Sequence, residues 1–575
     1  MKLKLNKNFF IKFVFILLIM FIIGISITYS QSIFMPVSEI KPDMKGIGKT
    51  VFHGTKIDTF QVDIIDIVKG ESGITHFILA YLSGDKIKES GGISEGMSGS
   101  PVYINGRLIG AISYAWEMSE HNLCLITPIQ EMLRMFNLPY NYNQVTSPVY
   151  QTKNSLCPVI SPVIISGIKG RSLDRLSNSI KKFNIIPIQG VMVNETDQVD
   201  LQGVGERSSN KIEAGSAIGI QLTRGDVNIT SIGTVTYREG NKILALGHPF
   251  LKKGEVSYLI SAVYIYHSLP NIIMPFKLGS PLNLIGRVIQ DREAGIFAIL
   301  NSYPPIIPLK IHVTNIDSGL SYQMEIQMVN DYDLLEPLIS NITVQAVDNA
   351  LDKIGAGTAQ VEIKIKGKEE GEELYRENMF YSSNDIATKV ITEIPEIIDI
   401  ILNNYFKPVD LAAVNINIRI DNKKKIGKLE EVILEGSSFK PGDLIKARIK
   451  IRPFREELIE KILTIQLPSN LSLCEAALIV RGGDSDNQPE EQFYNDSNKK
   501  AYKSIEEIFK DISDKPKGNQ IIGEIIIYSD ELPSEEKYNS NDLKKEKEEN
   551  LLISKIETDM VIEGYLEVPI NILEN

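Results

Sequence analysis

The stretch 91–114, GGISEGMSGSPVYINGRLIGAISY, constrains the fold of this chain more than any other. Gly91, Gly92 and Gly96 precede Ser98, and Gly99 follows it. Pro101 then opens two short apolar runs, Val102-Tyr103-Ile104 and Leu108-Ile109, on either side of Asn105-Gly106. Both central residues of a type I′ turn need positive φ, which Asn and Gly adopt at least cost, so the spacing predicts a β-hairpin with Ser98 in the loop before it. Glycine tolerates backbone conformations that other residues resist, so this loop can aim two N–H groups at a point beside a hydroxyl. These residue types suit a serine nucleophile whose oxyanion hole is made by the amides of Gly96 and Ser98. A Gly/Ser turn that only joins two strands is the plainer alternative; the attached hairpin favours the chemical one.

A chain of 575 residues exceeds what one core holds, about 250–300 residues, so several domains are expected. The net charge of −12 leaves no basic stripe to neutralise phosphates, which argues against nucleic acid as a partner. At the amino terminus Lys2, Lys4, Lys7 and Lys12 precede an uncharged apolar run over 13–27. That is the pattern of an export signal, long enough together with Phe9, Phe10 and Ile11 to serve as an uncleaved membrane anchor. The lysines would stay cytoplasmic, leaving the body of the protein at the cell envelope, periplasmic or extracellular. Cys124, Cys157 and Cys474 show no C-x-x-C spacing. A Cys124–Cys157 disulfide would suit an exported chain, with scattered buried thiols as the plainer reading. Asp484-x-Asp486 lacks the glycine and flanking helices of a calcium loop, so no metal and no cofactor is expected.

Along the chain, residues 1–30 read as signal peptide or anchor, 31–140 as a Ser-bearing β half-domain, and 156–330 as a second β half-domain centred on GTVTYREGNKILALGHPF at 233–250. Its strands deliver Gly247-His248-Pro249, and proline holds His248 in extended backbone at a strand end. A helix is expected over 172–183. The polar stretch 141–155 reads as a linker. Residues 331–408 read as a mixed helical region whose spaced Ile386, Val390, Ile394, Ile397 and Ile401 predict a helix pair over 384–406, with Pro395 as a kink or break. Strict alternation predicts a β-sandwich over 409–480. The remainder, 481–575, reads as an acidic loop-rich tail, including the charged run 544–549, with terminal strands that could add an edge to the preceding sheet. No internal repeat is evident.

GMSGSP is similar to the GDSGGP of chymotrypsin-type proteases, and GGISEGMSGSPVYINGRLIGAISYAW resembles the nucleophile segment of the serine peptidase family typified by stage IV sporulation protein B. GTVTYREGNKILALGH is similar to that family's histidine segment, and IGRVIQDREAGIFAIL at 285–300 to a later strand pair. The resemblance implies a mainly β fold, a chymotrypsin-like paired β-barrel, with Ser98 as nucleophile and His248 as general base. In the family the histidine segment comes first, whereas here Ser98 stands 150 positions before His248, so the halves would be permuted. The family's acid would fall at Ser83, with Asp85 two residues on and Asp291 as the alternative. The expected function is that of an exported serine endopeptidase that cleaves itself or a protein partner through an acyl-enzyme. The alternative is a catalytically inactive, peptidase-like scaffold that binds protein at the envelope. With Trp116 as the single tryptophan, a carbohydrate-binding role has little support.

Overall fold

The computed structural model describes residues 32–70, 73–116, 121–138, 157–158, 162–183, 185–190, 211–271, 275–469, 474–484, 502–528 and 552–573. The export segment, the linker 141–155, Asp486 and the run 544–549 lie outside the described residues. Among the described residues no helix is long and apolar enough to cross a membrane.

The first body is a ring of six strands: β1 (Lys45–Val51), β2 (Ile57–Lys69), β3 (His76–Ser83), β4 (Pro101–Ile104), β5 (Arg107–Ala115) and β6 (Leu123–Pro128). Every neighbouring pair is antiparallel, and β4 closes the ring by pairing with both β5 and β1. The β4–β5 turn has Asn105 at φ 50° and Gly106 at φ 76°, the positive angles the sequence calls for. Alternation sends Val62, Ile78, Leu82, Val102, Ile112 and Ile126 inward to a core of their own.

Three short strands follow: β7 (Cys157–Pro158), β8 (Val163–Ser166) and β9 (Pro187–Gln189). The second ring is β10 (Ala217–Gly225), β11 (Asn228–Glu239), β12 (Lys242–Ala245), β13 (Gly254–Leu269), β14 (Phe276–Arg292) and β15 (Gly295–Leu300). It closes in the same way, with β10 pairing both β11 and β13. Both rings run first-second-third-sixth-fifth-fourth, so a repeat invisible in the residues is present in the topology. Of the described residues 53% are in strands and 17% in helices, so the fold is mainly β, consistent with a chymotrypsin-like paired barrel followed by β-rich modules.

Beyond Gln221 the strand β10 exchanges β13 for β17 (Ser321–Val329) on one edge while Thr223 still pairs with β11, and β16 (Ile306–Asn315), β18 (Gly357–Gly367), β19 (Glu373–Ser382) and β20 (Leu411–Asp421) complete a central sheet. A 20-residue helix, Tyr332–Leu351, packs on β16 and β17 and is buried on nearly every side. It buries Ser340, Asn341, Thr343 and Gln345 together with its leucines and isoleucines, so its sequence shows no clean apolar stripe, which is why region 331–408 reads only as mixed. Helix Gly170–Ile180 matches the expectation over 172–183 apart from its ends. Pro395 does not kink a helix. It sits in the first turn of Ile394–Leu402, where the missing N–H has no intrahelical partner to lose.

The sandwich boundaries differ from the sequence reading. Leu411–Asp421 belongs to the central sheet, and the sandwich begins at Ile426. One of its sheets holds Ile426–Leu434, Leu444–Pro453, Ile459–Gln466 and Val561–Glu563. The other holds Ser438–Phe439, Cys474–Gly482, Gln520–Tyr528, Leu552–Glu557 and Tyr565–Ile572. The described parts of the tail are therefore structural: Leu478, Ile525 and Ile570 pack against Leu429, Ile449 and Leu463 in one core. Tyr565–Ile572 lies inside its sheet, between Ser438–Phe439 and Cys474–Gly482, rather than at an edge. The Cys124–Cys157 bridge is not formed. Cys124 is a free buried thiol whose pKa burial pushes up to about 12.

Candidate active site

Ser98 lies in the loop from third to fourth strand of the first ring, and His248 in the corresponding loop of the second. Each loop is held by the other barrel. From β11, the Thr234 amide donates to the Ser98 carbonyl at 2.8 Å, the Thr234 hydroxyl to the Gly96 carbonyl at 3.0 Å, and the Thr236 hydroxyl to the Gly99 carbonyl at 2.8 Å. In the other direction, the Thr127 hydroxyl of β6 donates to the Gly247 carbonyl at 2.6 Å. The Gly99 amide donates to the Ile112 carbonyl at 2.8 Å, and a Cβ placed on Gly247 would lie 3.4 Å from that same oxygen. The residue after Ser98 and the residue before His248 thus share one neighbour. Ser98 is 0% exposed and His248 3%.

Two peptide planes decide where the expected oxyanion donors point. In a trans peptide the N–H is directed opposite to the carbonyl across the bond. The Glu95 carbonyl accepts from the Lys277 amide at 3.0 Å, which turns the Gly96 N–H away from β14. The Met97 carbonyl accepts from the Ser100 amide at 2.9 Å and from the Ser100 hydroxyl, which turns the Ser98 N–H away from the turn behind it. Gly96 and Gly99 stand at φ 89° and 90°, where a side chain would be strained.

His248 Nδ1 lies 2.8 Å from the Pro249 carbonyl oxygen. A carbonyl can only accept, so in this contact Nδ1 carries the proton and the neutral ring keeps its lone pair on Nε2, the tautomer a general base requires. The ring packs beside Tyr114 with centroids 6.1 Å apart. Just upstream, Leu246 is held at φ 67°, a strained conformation for a leucine, with its side chain wedged against Gly233.

Neither acid is placed as a partner of Nδ1. Asp85 is exposed at the first position of the one-turn helix Asp85–Glu89, in water rather than in a buried pair. Asp291 lies at the end of β14, 1% exposed, and accepts from the amides of Phe250 and Leu251, both at 2.7 Å. Burial pushes its pKa up to about 6, while those amides pull it down. Asp291 therefore pins the turn that carries His248 and Pro249 and is a positioning group. The far end of that turn is anchored too: Lys253 pairs with Asp331, the buried cap of helix Tyr332–Leu351, which also accepts from the Tyr258 hydroxyl at 2.7 Å.

Sequence reasoning missed Thr234, Thr236, Thr127 and Lys277. The two-residue spacing of GTVT was the available signal, because positions i and i+2 of a strand share a face. Lys277 carried none, since a lone lysine in FKLGSPLNLI reads as the solvent side of an alternating strand.

Two ring-closed barrels meet over the loop that carries Ser98 and the loop that carries His248, an arrangement consistent with a chymotrypsin-like paired barrel. Residues 30–125 match the family described as SpoIVB peptidase S55, so this segment is similar to SpoIVB-like serine peptidases. The match ends inside β6 and does not include the His-bearing ring. No curated protein and no solved structure matches the chain.

Proposed function

We propose that the chain is an exported serine endopeptidase acting on a protein or peptide, either its own chain or a partner. The observation that carries this reading is the docking of corresponding loops from two like barrels, which brings the Ser98 and His248 segments against one carbonyl. Ser98 Oγ attacks the scissile carbonyl carbon as its proton passes to His248 Nε2, and the oxyanion is received by the Gly96 and Ser98 amides. Collapse breaks the C–N bond, with the imidazolium proton leaving on the amine. Water then adds to the acyl carbon, gives a proton to Nε2, and the proton returns to Oγ as the acid departs. Export is supported by the lysines and the apolar run of the first thirty residues, which would also supply any contact with a membrane.

A small fluorophosphonate tests the chemistry. Labelling of the intact protein that is abolished in Ser98→Ala and reduced at least 1,000-fold in His248→Ala is the expected result. The burial of Ser98 and the carbonyl, rather than carboxylate, partner of Nδ1 favour a second reading, an inactive peptidase-like scaffold that binds protein at the envelope. Absence of labelling in the intact protein selects it.

A further inference from the structure

Lys277 is a buried titratable group that the proposed chemistry leaves unused. It enters from β14 of the His-bearing barrel and is 0% exposed. Its Nζ donates to the Thr50 hydroxyl of β1 at 2.7 Å and to the Gly96 carbonyl at 3.2 Å. Its own amide donates to the Glu95 carbonyl. Burial alone pushes its pKa down to about 7. A lysine in such a place is unfavourable whenever it is charged, and a methionine would fill the space without that penalty.

We infer that Lys277 is a positioning residue that sets the oxyanion hole, clamping both carbonyls that flank Gly96, so that the hole on the Ser-bearing barrel is complete only while the His-bearing barrel is docked. The Glu95–Gly96 peptide carries one of the two oxyanion donors, and glycine at φ 89° has no side chain to stop that plane from flipping. A flip would swing the Glu95 carbonyl into the hole and the donor out of it. Position 277 opposes it at three points, of which Lys277→Met keeps the backbone amide and the packing and removes the Nζ contact. The Lys277 amide holds the Glu95 oxygen, its Nζ shares the Gly96 oxygen with Thr234, and its methylenes fill the space a Cβ would take, with Cδ at 3.2 Å and Cβ at 3.3 Å from that position. The Thr50 hydroxyl lies 3.4 Å from that of Thr234, so β1, β11 and β14 meet at this one carbonyl. Hence an element of the second barrel dictates the backbone of a loop in the first.

The inference rests on the peptidase reading only for what the hole does; the clamp itself can be measured without catalysis. Hydrogen-exchange mass spectrometry on the full chain should show exchange across 92–97 at least tenfold faster in Lys277→Met, with β2 and β3 unchanged. In the same variant fluorophosphonate labelling should slow by about 10- to 100-fold, the scale of a misplaced oxyanion donor. Thr50→Val leaves the lysine facing Gly96 but removes a partner of Nζ, and should speed loop exchange and slow labelling by about two- to fivefold. Should Lys277→Met fail to fold, the threonine variant carries the test, and unchanged exchange there overturns the clamp. Unchanged loop exchange in a folded Lys277→Met overturns it as well. So does complete loss of labelling with exchange unaltered, which would assign the lysine to proton transfer instead. Faster loop exchange in a protein that is never labelled upholds the clamp and removes the peptidase.

Discussion

The two barrels share a strand order but hold their chemistry by different means. In the Ser-bearing barrel no strand exceeds 13 residues and the core is self-contained. Its loop carries part of its own specification, in Gly91, Gly92, Gly96 and Gly99, all at positive φ, and is then held by Thr234, Thr236 and Lys277 of the other barrel. In the His-bearing barrel β13 and β14 run to 16 and 17 residues with repeated register shifts, and the core merges with the central sheet and helix Tyr332–Leu351. Its loop also has positive φ at Leu246, Gly247 and Lys252, but its anchors lie far along the chain, at Asp291 of the same barrel and at Asp331 beyond it. A backbone constraint is written in the residues that obey it, whereas a tertiary one is written elsewhere in the chain. The first barrel was therefore readable, and a family match stops where it ends.

The contrast can be tested by removing each kind of constraint, beginning with the largest effect. Lys277 has a folded pKa of about 7 against 10.5 unfolded. Between those values the unfolded chain holds a proton that the folded one lacks, so stability should climb as pH rises, by up to roughly 1.4 kcal/mol per unit and roughly 5 kcal/mol in all. Denaturant midpoints from pH 7 to 9 should show the climb in the intact protein and lose it in Lys277→Met.

Next is Gly99→Ala. Its Cβ would fall 2.0 Å from the Thr234 carbonyl oxygen at φ 90°, so the barrels must part or the loop must move, at a cost of about 4 kcal/mol. A thermal melt that drops by less than a few degrees would show that the close approach of this loop to β11 of the other barrel does not constrain it.

Asp291 gives an opposite slope to Lys277. Its folded pKa of about 6 exceeds the ordinary 3.8, so from pH 4 to 6 the folded state holds the extra proton and stability should fall as pH rises, by roughly 3 kcal/mol. Asp291→Asn should flatten that fall and, with one carbonyl oxygen left to meet two amides, slow labelling of Ser98 about tenfold. Equal labelling would mean that the His248 turn needs no external support.

The smallest effect belongs to Gly106→Ala, at φ 76° with nothing within 4 Å of the new methyl. Backbone strain alone should cost about 1 kcal/mol without altering labelling.

What the residues disclosed follows the same division. The Ser98 hairpin and the Asn105-Gly106 turn were legible because asparagine and glycine accept positive φ at least cost, whereas His248 lies in a bend three residues past the end of β12 rather than at the strand end itself. Helix Tyr332–Leu351 was not legible, since polar residues such as Ser340, Asn341, Thr343 and Gln345 are buried among its apolar ones and blur the period. The sandwich was misplaced because its two sheets interleave strands from Ile426 to Ile572, and no window of ten residues reports which partner a strand will choose. Asp85 was preferred to Asp291 on chain distance from Ser98. Nearness to His248 is a matter of ring topology, in which the turn after the fifth strand lies beside the turn after the third.

Cys124 sits on β6, three residues from the Thr127 that reaches across to Gly247. Its sulfur is sealed in the core and kept protonated, so an alkylating reagent finds it only in molecules whose first ring has come apart. The rate at which that thiol reacts is thus a natural clock for the opening of the Ser-bearing half.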